Sequence, residues 1–131
     1  MDVMAELRPI GAKYSAGDFR AGLLELASLW SKVPDPKPET LNAYLIVEYG
    51  VALALKEGDL EEAQEWADRA PMFAAKRQDM GEVEFLVSKV AFERGDLRKA
   101  KEQFIIANAK SEGRAFEAKD KRYRLLIDDG S

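Results

Sequence analysis

The apolar residues of this chain recur every three to four positions, which is the spacing of one face of an α-helix. One segment has apolar residues at i, i+3, i+4, i+7 and i+8, namely Val83, Leu86, Val87, Val90 and Ala91. The same spacing occurs earlier, at Tyr44, Val47, Val51 and Ala54. No segment alternates apolar and polar residues as a half-buried strand would. The pattern therefore predicts an all-α protein.

A repeated Gly-Asp pair separates these helical segments. It occurs at Gly17-Asp18, Gly58-Asp59 and Gly95-Asp96, with spacings of 41 and then 37 residues. Glycine readily takes the left-handed conformation that ends a helix, and aspartate accepts hydrogen bonds from the free N–H groups that begin the next one. Each pair therefore predicts a tight antiparallel helix hairpin. The middle pair also has a glutamate, Glu62, three residues after the aspartate, which predicts a capping box.

Small residues follow each turn at a constant distance. Ala63 and Ala100 lie five residues after the glycines of the second and third turns, and Gly22 takes that place after the first. Side chains this small let the paired helices approach closely. Apolar residues continue each stripe, namely Leu26, Ala27 and Trp30 in the first copy, Trp66, Ala67 and Ala70 in the second, and Phe104 and Ala107 in the third.

This arrangement resembles the tetratricopeptide repeat, a helix–turn–helix unit of about 34 residues. The family places a small residue at the turn, alanine five residues later, an aromatic residue nine later and alanine twelve later. Gly95, Ala100, Phe104 and Ala107 match all four positions. The second copy matches three of them, with Trp66 one place from the aromatic position, and the first copy matches loosely.

The resemblance implies a single domain over residues 1–131, built as a solenoid of three helix pairs with a C-terminal capping helix. The repeats would span approximately residues 3–33, 40–71 and 80–111, and the capping helix approximately 114–128. A proline-rich stretch at residues 31–38 separates the first pair from the second, and its alternating prolines predict extended chain. A second break lies near residues 71–81, where Met72 to Lys76 could form a helical turn.

The resemblance also implies where a partner binds, because the first helix of each pair lines the concave wall of such a solenoid. The positions that point away from the paired helix are Met4, Leu7, Tyr14, Leu45, Glu48, Ala52, Leu55 or Lys56, Phe85, Lys89, Phe92 and Glu93. From these, the candidate partner-binding residues are Tyr14, Leu45, Glu48, Leu55, Phe85, Lys89 and Phe92. Phe85 and Phe92 share one helix face about two turns long, so they either line a groove or fill the gap between neighbouring repeats.

Charge is distributed unevenly along the chain. There are 20 basic and 24 acidic residues, a net charge of −4, but residues 41–75 carry −5 and residues 98–124 carry +5. Glu61, Glu65 and Asp68 form an acidic stripe, which is either a solvated face or a patch complementary to a basic partner. The basic end could contact an anionic partner through Arg98, Lys99, Lys101, Lys119, Lys121, Arg122 and Arg124. Without aromatic platforms or a recognition helix, we do not expect nucleic-acid binding.

The composition excludes most catalytic chemistry. The chain has no cysteine and no histidine, which removes thiolate nucleophiles, the commonest general base and the commonest zinc ligands. Phosphate loops and dinucleotide fingerprints are also missing, and the carboxylates near residues 61–68 lack the Asp/Asn spacing of a calcium loop. We therefore expect no enzyme activity, no cofactor and no metal. Apolar stretches are too short to span a bilayer, so we expect a cytoplasmic protein without a membrane partner.

Residues 113–123 are similar to the endings of small stand-alone bacterial tetratricopeptide proteins, some of which are immunity proteins. The resemblance therefore implies a non-enzymatic protein-interaction module, above all a bacterial immunity protein that binds and neutralises a cognate toxin domain. The alternative is a secretion chaperone or assembly adaptor that binds an extended peptide in the concave groove. A regulatory or catalytic subunit with carboxylate or lysine chemistry is disfavoured by the missing histidine and cysteine. The partner's identity and the oligomeric state stay open.

Overall fold

The computed structural model describes residues 1–77, 81–117 and 119–128, with only the backbone of residue 77. Within these ranges every regular element is helical and there is no strand, so the all-α prediction is confirmed. The α-helices are α1 (Val3–Ala16), α2 (Phe19–Lys32), α3 (Ala43–Glu57), α4 (Leu60–Ala67), α5 (Ala74–Arg77), α6 (Glu82–Glu93), α7 (Leu97–Ser111) and α8 (Lys121–Asp128). Short 3₁₀ turns lie at Lys37–Glu39, Ala70–Phe73 and Arg114–Phe116.

The three Gly-Asp pairs join α1 to α2, α3 to α4, and α6 to α7. Their glycines have positive φ angles of 81°, 78° and 84°. At the middle turn, the N–H of Gly58 donates to the Leu55 carbonyl at 3.1 Å, and the N–H of Asp59 donates to the Ala54 carbonyl at 3.0 Å. The other two turns have the same pair of bonds, which defines a Schellman motif. The helix-ending role predicted for these glycines is confirmed.

The aspartates of these turns differ in what their side chains do. Asp59 accepts a hydrogen bond from the N–H of Glu62 at 3.0 Å, and Asp96 accepts one from the N–H of Lys99 at 3.2 Å. Asp18 forms no such bond. The capping prediction is therefore confirmed at the second and third turns and wrong at the first.

The predicted capping box at Glu62 is also wrong, for two reasons. The backbone N–H of Asp59, which Glu62 would have to reach, already donates to Ala54. The Glu62 carboxylate instead accepts a hydrogen bond from Arg20 of α2, with Nη1 and Oε2 2.5 Å apart. A long-range ion pair has replaced the local contact.

The helices form two compact units. Unit 1 is Met1–Arg69 and contains α1 to α4, and unit 2 begins at Ala70 and contains α5 to α8. The single domain and its repeat boundaries stay predictions, and the predicted start of the third repeat, at residue 80, lies outside the described residues.

In unit 1 each helix packs against the next along the chain, and α1 also contacts α3. All four helices contribute to the core, which includes Val3, Leu7, Ile10, Leu23, Leu26, Leu29, Ile46, Val47, Val51, Leu53, Ala63 and Trp66. Close packing depends on two glycines inside helices. A Cβ on Gly22 would lie 3.1 Å from Leu53, and a Cβ on Gly50 would lie 2.2 Å from the Trp66 indole.

The proline-rich stretch is extended only in part. Val33 and Pro36 have extended backbone, but Lys37–Glu39 turns into a 3₁₀ helix. The Lys37 ammonium donates to the carbonyls of Trp30 and Val33 at 3.0 and 2.8 Å. Both carbonyls are at the end of α2, where backbone donors are scarce, and the Trp30 carbonyl also accepts the Val33 N–H at 3.2 Å. Lys37 therefore caps that helix and holds the stretch against it.

In unit 2, α6 packs against α7, and α7 also contacts α8 and the 3₁₀ turn at residues 114–116. One cluster of the core is rich in aromatic residues and consists of Phe85, Ala91, Ala100, Phe104, Ala107, Phe116 and Tyr123.

The predicted capping helix over residues 114–128 is corrected to a 3₁₀ turn followed by α8. The backbone of Glu117 is extended, and α8 begins only at Lys121. Asp120 accepts a hydrogen bond from the N–H of Arg122 at 2.9 Å, a local bond that favours a helix start at this point. Ala118, which the sequence analysis places in the same helix, lies outside the described residues.

Candidate functional site

Helix α3 has one face that is not fully buried. Between Ala43 and Leu55 the half-buried positions are Leu45, Glu48, Tyr49, Ala52 and Leu55, and all other positions lie in the core. Four of these five are positions that the tetratricopeptide resemblance places on a binding wall. The structure therefore brings the predicted wall residues of α3 together on a single face.

A pocket of about 280 Å³ lies between this face and α1. It is lined by Gly11 and Tyr14 from α1 and by Tyr49, Ala52 and Leu53 from α3. No lining residue is charged, so the pocket offers apolar surface and two phenol groups. We define these five residues as the α1–α3 pocket.

The two helices shape the pocket through residue size. Gly11 has no side chain, and a Cβ built there would be in ordinary contact with the Tyr49 ring at 3.9 Å, so the glycine leaves room at this position for about one methyl group. On one side, Tyr14 is 37% exposed, and its ring packs edge-on against Phe19 with centroids 5.7 Å apart. This contact holds the Tyr14 ring at the mouth of the pocket.

Three pocket residues, Gly11, Tyr49 and Leu53, were not among the sequence candidates. Helix α3 is apolar on nearly every side, so the periodicity of its sequence does not single out Tyr49. The available signal was the spacing of Tyr49 from Leu45 and Ala52, which is four and three residues. Conversely, Leu7 was expected on the wall but is 1% exposed and belongs to the core of unit 1.

The structure places Phe85 in the core of unit 2. It is 7% exposed, and its ring meets Phe104, Phe116 and Tyr123 with centroids 5.3, 5.3 and 5.9 Å apart. We therefore correct its assignment from a groove residue to a core residue. Edge-to-face aromatic pairs of this kind add to the stabilisation that burial provides.

Phe92 is half-buried at the border of the same cluster. Its ring packs edge-on against Tyr123 at 5.2 Å, and the Arg122 guanidinium lies 5.0 Å from its centroid. Burial raises the pKa of Tyr123 to about 12, and the carboxylates of Glu93 and Asp120 contribute to the shift. Lys89, the remaining candidate on α6, is also half-buried.

The acidic stripe Glu61, Glu65 and Asp68 is exposed on α4, as predicted from its spacing. Asp68 accepts a hydrogen bond from the amide of Gln64 at 2.7 Å. One position further along the chain, Arg69 turns back towards the core of unit 1.

Arg69 stacks on both tryptophans of the chain. Its guanidinium carbon is 4.1 Å from the Trp66 ring centroid and 5.4 Å from that of Trp30. Burial lowers the pKa of Arg69 from its usual value, while the negative charges of Glu65 and Glu62 oppose that effect. The sequence analysis missed this residue, because the contact with Trp30 joins distant parts of the chain.

A second ionic cluster fixes the α3–α4 turn to α2. Arg20 forms ion pairs with Glu62, Asp59 and Glu57 at 2.5, 3.1 and 3.9 Å. The hydrogen bond from the Glu62 N–H and then the one from Arg20 hold the pKa of Asp59 below its usual value. The same contacts with Glu62 and Asp59 raise the pKa of Arg20.

Among the described residues, no group of three or more acidic side chains is placed to hold a metal ion. In the same part of the chain, no helix is long and apolar enough to cross a membrane.

The fold and the site together define an all-α protein with an apolar pocket between the helices α1 and α3. No family model matches the chain, and no curated protein or solved structure shows significant similarity to it.

Proposed function

We propose that this chain is a non-enzymatic protein-binding module of tetratricopeptide-like helix pairs, and that it binds a protein partner at the α1–α3 pocket. One observation carries the proposal, namely an uncharged pocket with tyrosines on both sides, formed by the first helices of two successive Gly-Asp hairpins. Tyrosine is enriched among the residues that dominate binding energy at protein interfaces. The lack of histidine and cysteine supports a role without catalysis.

The pocket is large enough for a single protein side chain. Its volume of about 280 Å³ is at the lower limit of small-molecule sites, which usually enclose about 300–1,000 Å³. One large apolar side chain from a partner would fill it. The half-buried positions beside it on α3, Leu45, Glu48 and Leu55, would then contact the residues that flank this anchor.

Two specific roles follow from this binding mode. As an immunity protein, the chain would neutralise a cognate bacterial toxin domain in the cytoplasm by binding it in a one-to-one complex, and the C-terminal sequence resemblance supports this role. As a secretion chaperone or assembly adaptor, it would bind an extended peptide. The single-side-chain pocket supports the second role, because a linear segment is recognised through such pockets.

The proposal is tested by filling the pocket. Ala52→Trp adds a large side chain to the pocket wall, and Ala27→Trp makes the same change on the exposed face of α2. We expect a partner captured by the wild-type chain to bind Ala27→Trp unchanged and Ala52→Trp at least about tenfold more weakly. Titration calorimetry with the purified partner measures the difference. If Ala52→Trp fails to fold, Tyr14→Ala removes the opposite wall instead. Equal binding of both tryptophan variants would reject the pocket as the binding site.

The form of the partner then separates the two roles. A partner that binds only as a folded domain, and whose toxicity to cells is relieved by co-expression of this chain, supports immunity. A short synthetic segment of the partner that retains the full affinity supports the adaptor role. Turnover of any substrate by the purified chain would contradict the non-enzymatic proposal.

A further inference from the structure

Unit 2 contains a second and larger pocket, of about 550 Å³, at the start of α8. Its apolar surface comes from Phe116 and from Leu125, which is 65% exposed. Three cationic residues line it as well, namely Lys119, Lys121 and Arg124. Apolar and cationic groups thus meet in one concavity.

The cations of this pocket outnumber its carboxylates by three to two. Within the described part of the chain, Lys119 and Lys121 form no ion pair, and Arg124 forms one with Asp128, with Nε and Oδ2 3.9 Å apart. Two carboxylates also line the pocket, those of Glu117 and Asp120. However, Asp120 is already bound to Arg122, with Oδ2 and Nη2 2.7 Å apart.

Arg124 is held in place before any ligand arrives. Its Nη1 donates to the side-chain oxygen of Asn108 at 2.8 Å, and its guanidinium lies 5.0 Å from the Phe116 ring centroid. A stacked guanidinium with further N–H donors is suited to a carboxylate, which it can bind through two parallel hydrogen bonds.

We propose that this pocket is a second binding site of the protein, and that its occupant is an acidic protein segment with an apolar side chain next to its carboxylates. The carboxylates would bind Arg124, Lys119 and Lys121, and the apolar side chain would pack on Leu125 and Phe116. The site lies within unit 2, so it does not depend on the α1–α3 pocket.

The test uses the full chain and two synthetic peptides with blocked ends. One is an octapeptide that alternates glutamate and leucine, and the other has glutamine in place of each glutamate. NMR spectra of the isotope-labelled chain follow the methyl groups of Leu125 and the Arg124 side chain during titration. We expect the acidic peptide to shift these signals and the glutamine peptide to leave them unchanged. The affinity should fall as salt is added, because salt screens the exposed charges.

Two pairs of substitutions then locate the effect. Lys119→Gln with Lys121→Gln removes two charges from the pocket, and Arg8→Gln with Lys32→Gln removes two exposed charges from unit 1, outside the pocket. We expect the first pair to weaken binding of the acidic peptide about fivefold and the second pair to change it less than twofold. Leu125→Ala should also weaken it about fivefold, through the loss of apolar contact.

Four outcomes would overturn the proposal. If both double variants weaken binding of the acidic peptide equally, the binding is due to general electrostatic attraction and not to this pocket. Equal binding of the glutamine peptide would exclude carboxylate recognition. Signal shifts confined to residues outside the pocket would place the peptide elsewhere. Inorganic phosphate that binds as tightly as the peptide, at matched ionic strength, would identify a simple anion site.

Discussion

Among the glycines of unit 1, Gly50 is the one at which an added Cβ would be most crowded. A Cβ at this position would lie 2.2, 2.5 and 2.6 Å from three atoms of the Trp66 indole. The ring is 2% exposed and has little room to move. Glycine inside a helix normally costs stability compared with alanine, so here the close approach of α4 to α3 offsets a local disadvantage.

We expect Gly50→Ala to destabilise the protein by about 1–3 kcal/mol, because overpacking against the rigid indole exceeds the gain in helix propensity. Gly11→Ala is the matched control, since its Cβ would make only ordinary contact with Tyr49 at 3.9 Å. That variant should be more stable than wild type by about 0.5–1 kcal/mol. Urea denaturation with unchanged m-values measures both changes. A Gly50→Ala variant as stable as Gly11→Ala would show that the helices can separate at little cost.

Asp59 makes stability depend on pH. Its pKa is lower in the folded state than its usual value of 3.8, first through the Glu62 N–H and then through Arg20. The folded state therefore binds fewer protons at this site than the unfolded chain. The resulting stability is present above about pH 4 and is lost as the pH falls through the folded-state pKa.

Asp59→Asn should remove this dependence, because asparagine still caps the helix but carries no charge. We expect the urea midpoint of the wild-type chain to fall more steeply between pH 5 and pH 2 than that of the variant, with the two curves closest at the acidic end. An identical slope for both proteins would mean that the ionic contact contributes no stability.

At the scale of elements, α2 and α4 are joined by the stack of Trp30, Arg69 and Trp66. The two indole rings meet edge-on with centroids 6.1 Å apart, and Arg69 lies against both of them. Burial disfavours the charged form of the Arg69 guanidinium, whereas the two indole ring faces and the negative charges of Glu65 and Glu62 favour that form.

Arg69→Met keeps an unbranched apolar side chain and removes the guanidinium cation. We expect a loss of about 1 kcal/mol, within the range measured for cation–π contacts that are partly shielded from water. Arg98→Met is the control, because that side chain is 91% exposed and pairs with Glu102, one helical turn away, at 3.5 Å. Its effect should stay within about 0.5 kcal/mol. Similar thermal and urea midpoints for the two variants would argue that the stack is incidental.

Elements were predictable from the sequence where the responsible contacts are local. Each Gly-Asp turn depends on hydrogen bonds within six residues, whereas the half-buried face of α3 was expected from the tetratricopeptide resemblance and not from periodicity. By contrast, the position of Phe85 depends on Phe116 and Tyr123, more than thirty residues away. No spacing rule reports such a contact, which is why the sequence left open whether Phe85 lines a groove or fills the gap between neighbouring repeats.

Two of the five residues of the candidate pocket were predictable, Tyr14 and Ala52, which are at expected wall positions. Gly11 contributes by having no side chain, and this matters only because Tyr49, on another helix, lies beside it. The glutamate predicted to complete a capping box contacts Arg20, forty-two residues away.

At the scale of the whole molecule, the two units have different charges. Counted over the sequence, residues 1–69 carry a net charge of −6 and residues 70–131 carry +2. The uncharged α1–α3 pocket belongs to the acidic unit, and the cationic pocket at α8 belongs to the basic one. The chain thus offers two chemically distinct surfaces, and a partner that used both would need an apolar anchor and an acidic segment.

The clustering of Trp30 and Trp66 gives the molecule a built-in spectroscopic reporter. The chain has two tryptophans, and both lie in unit 1. Indole emission during denaturation will therefore follow the loss of unit 1, while circular dichroism will follow the helices of both units. The separation between the two curves, measured on the wild-type chain without a label, will give the cooperativity between the units directly.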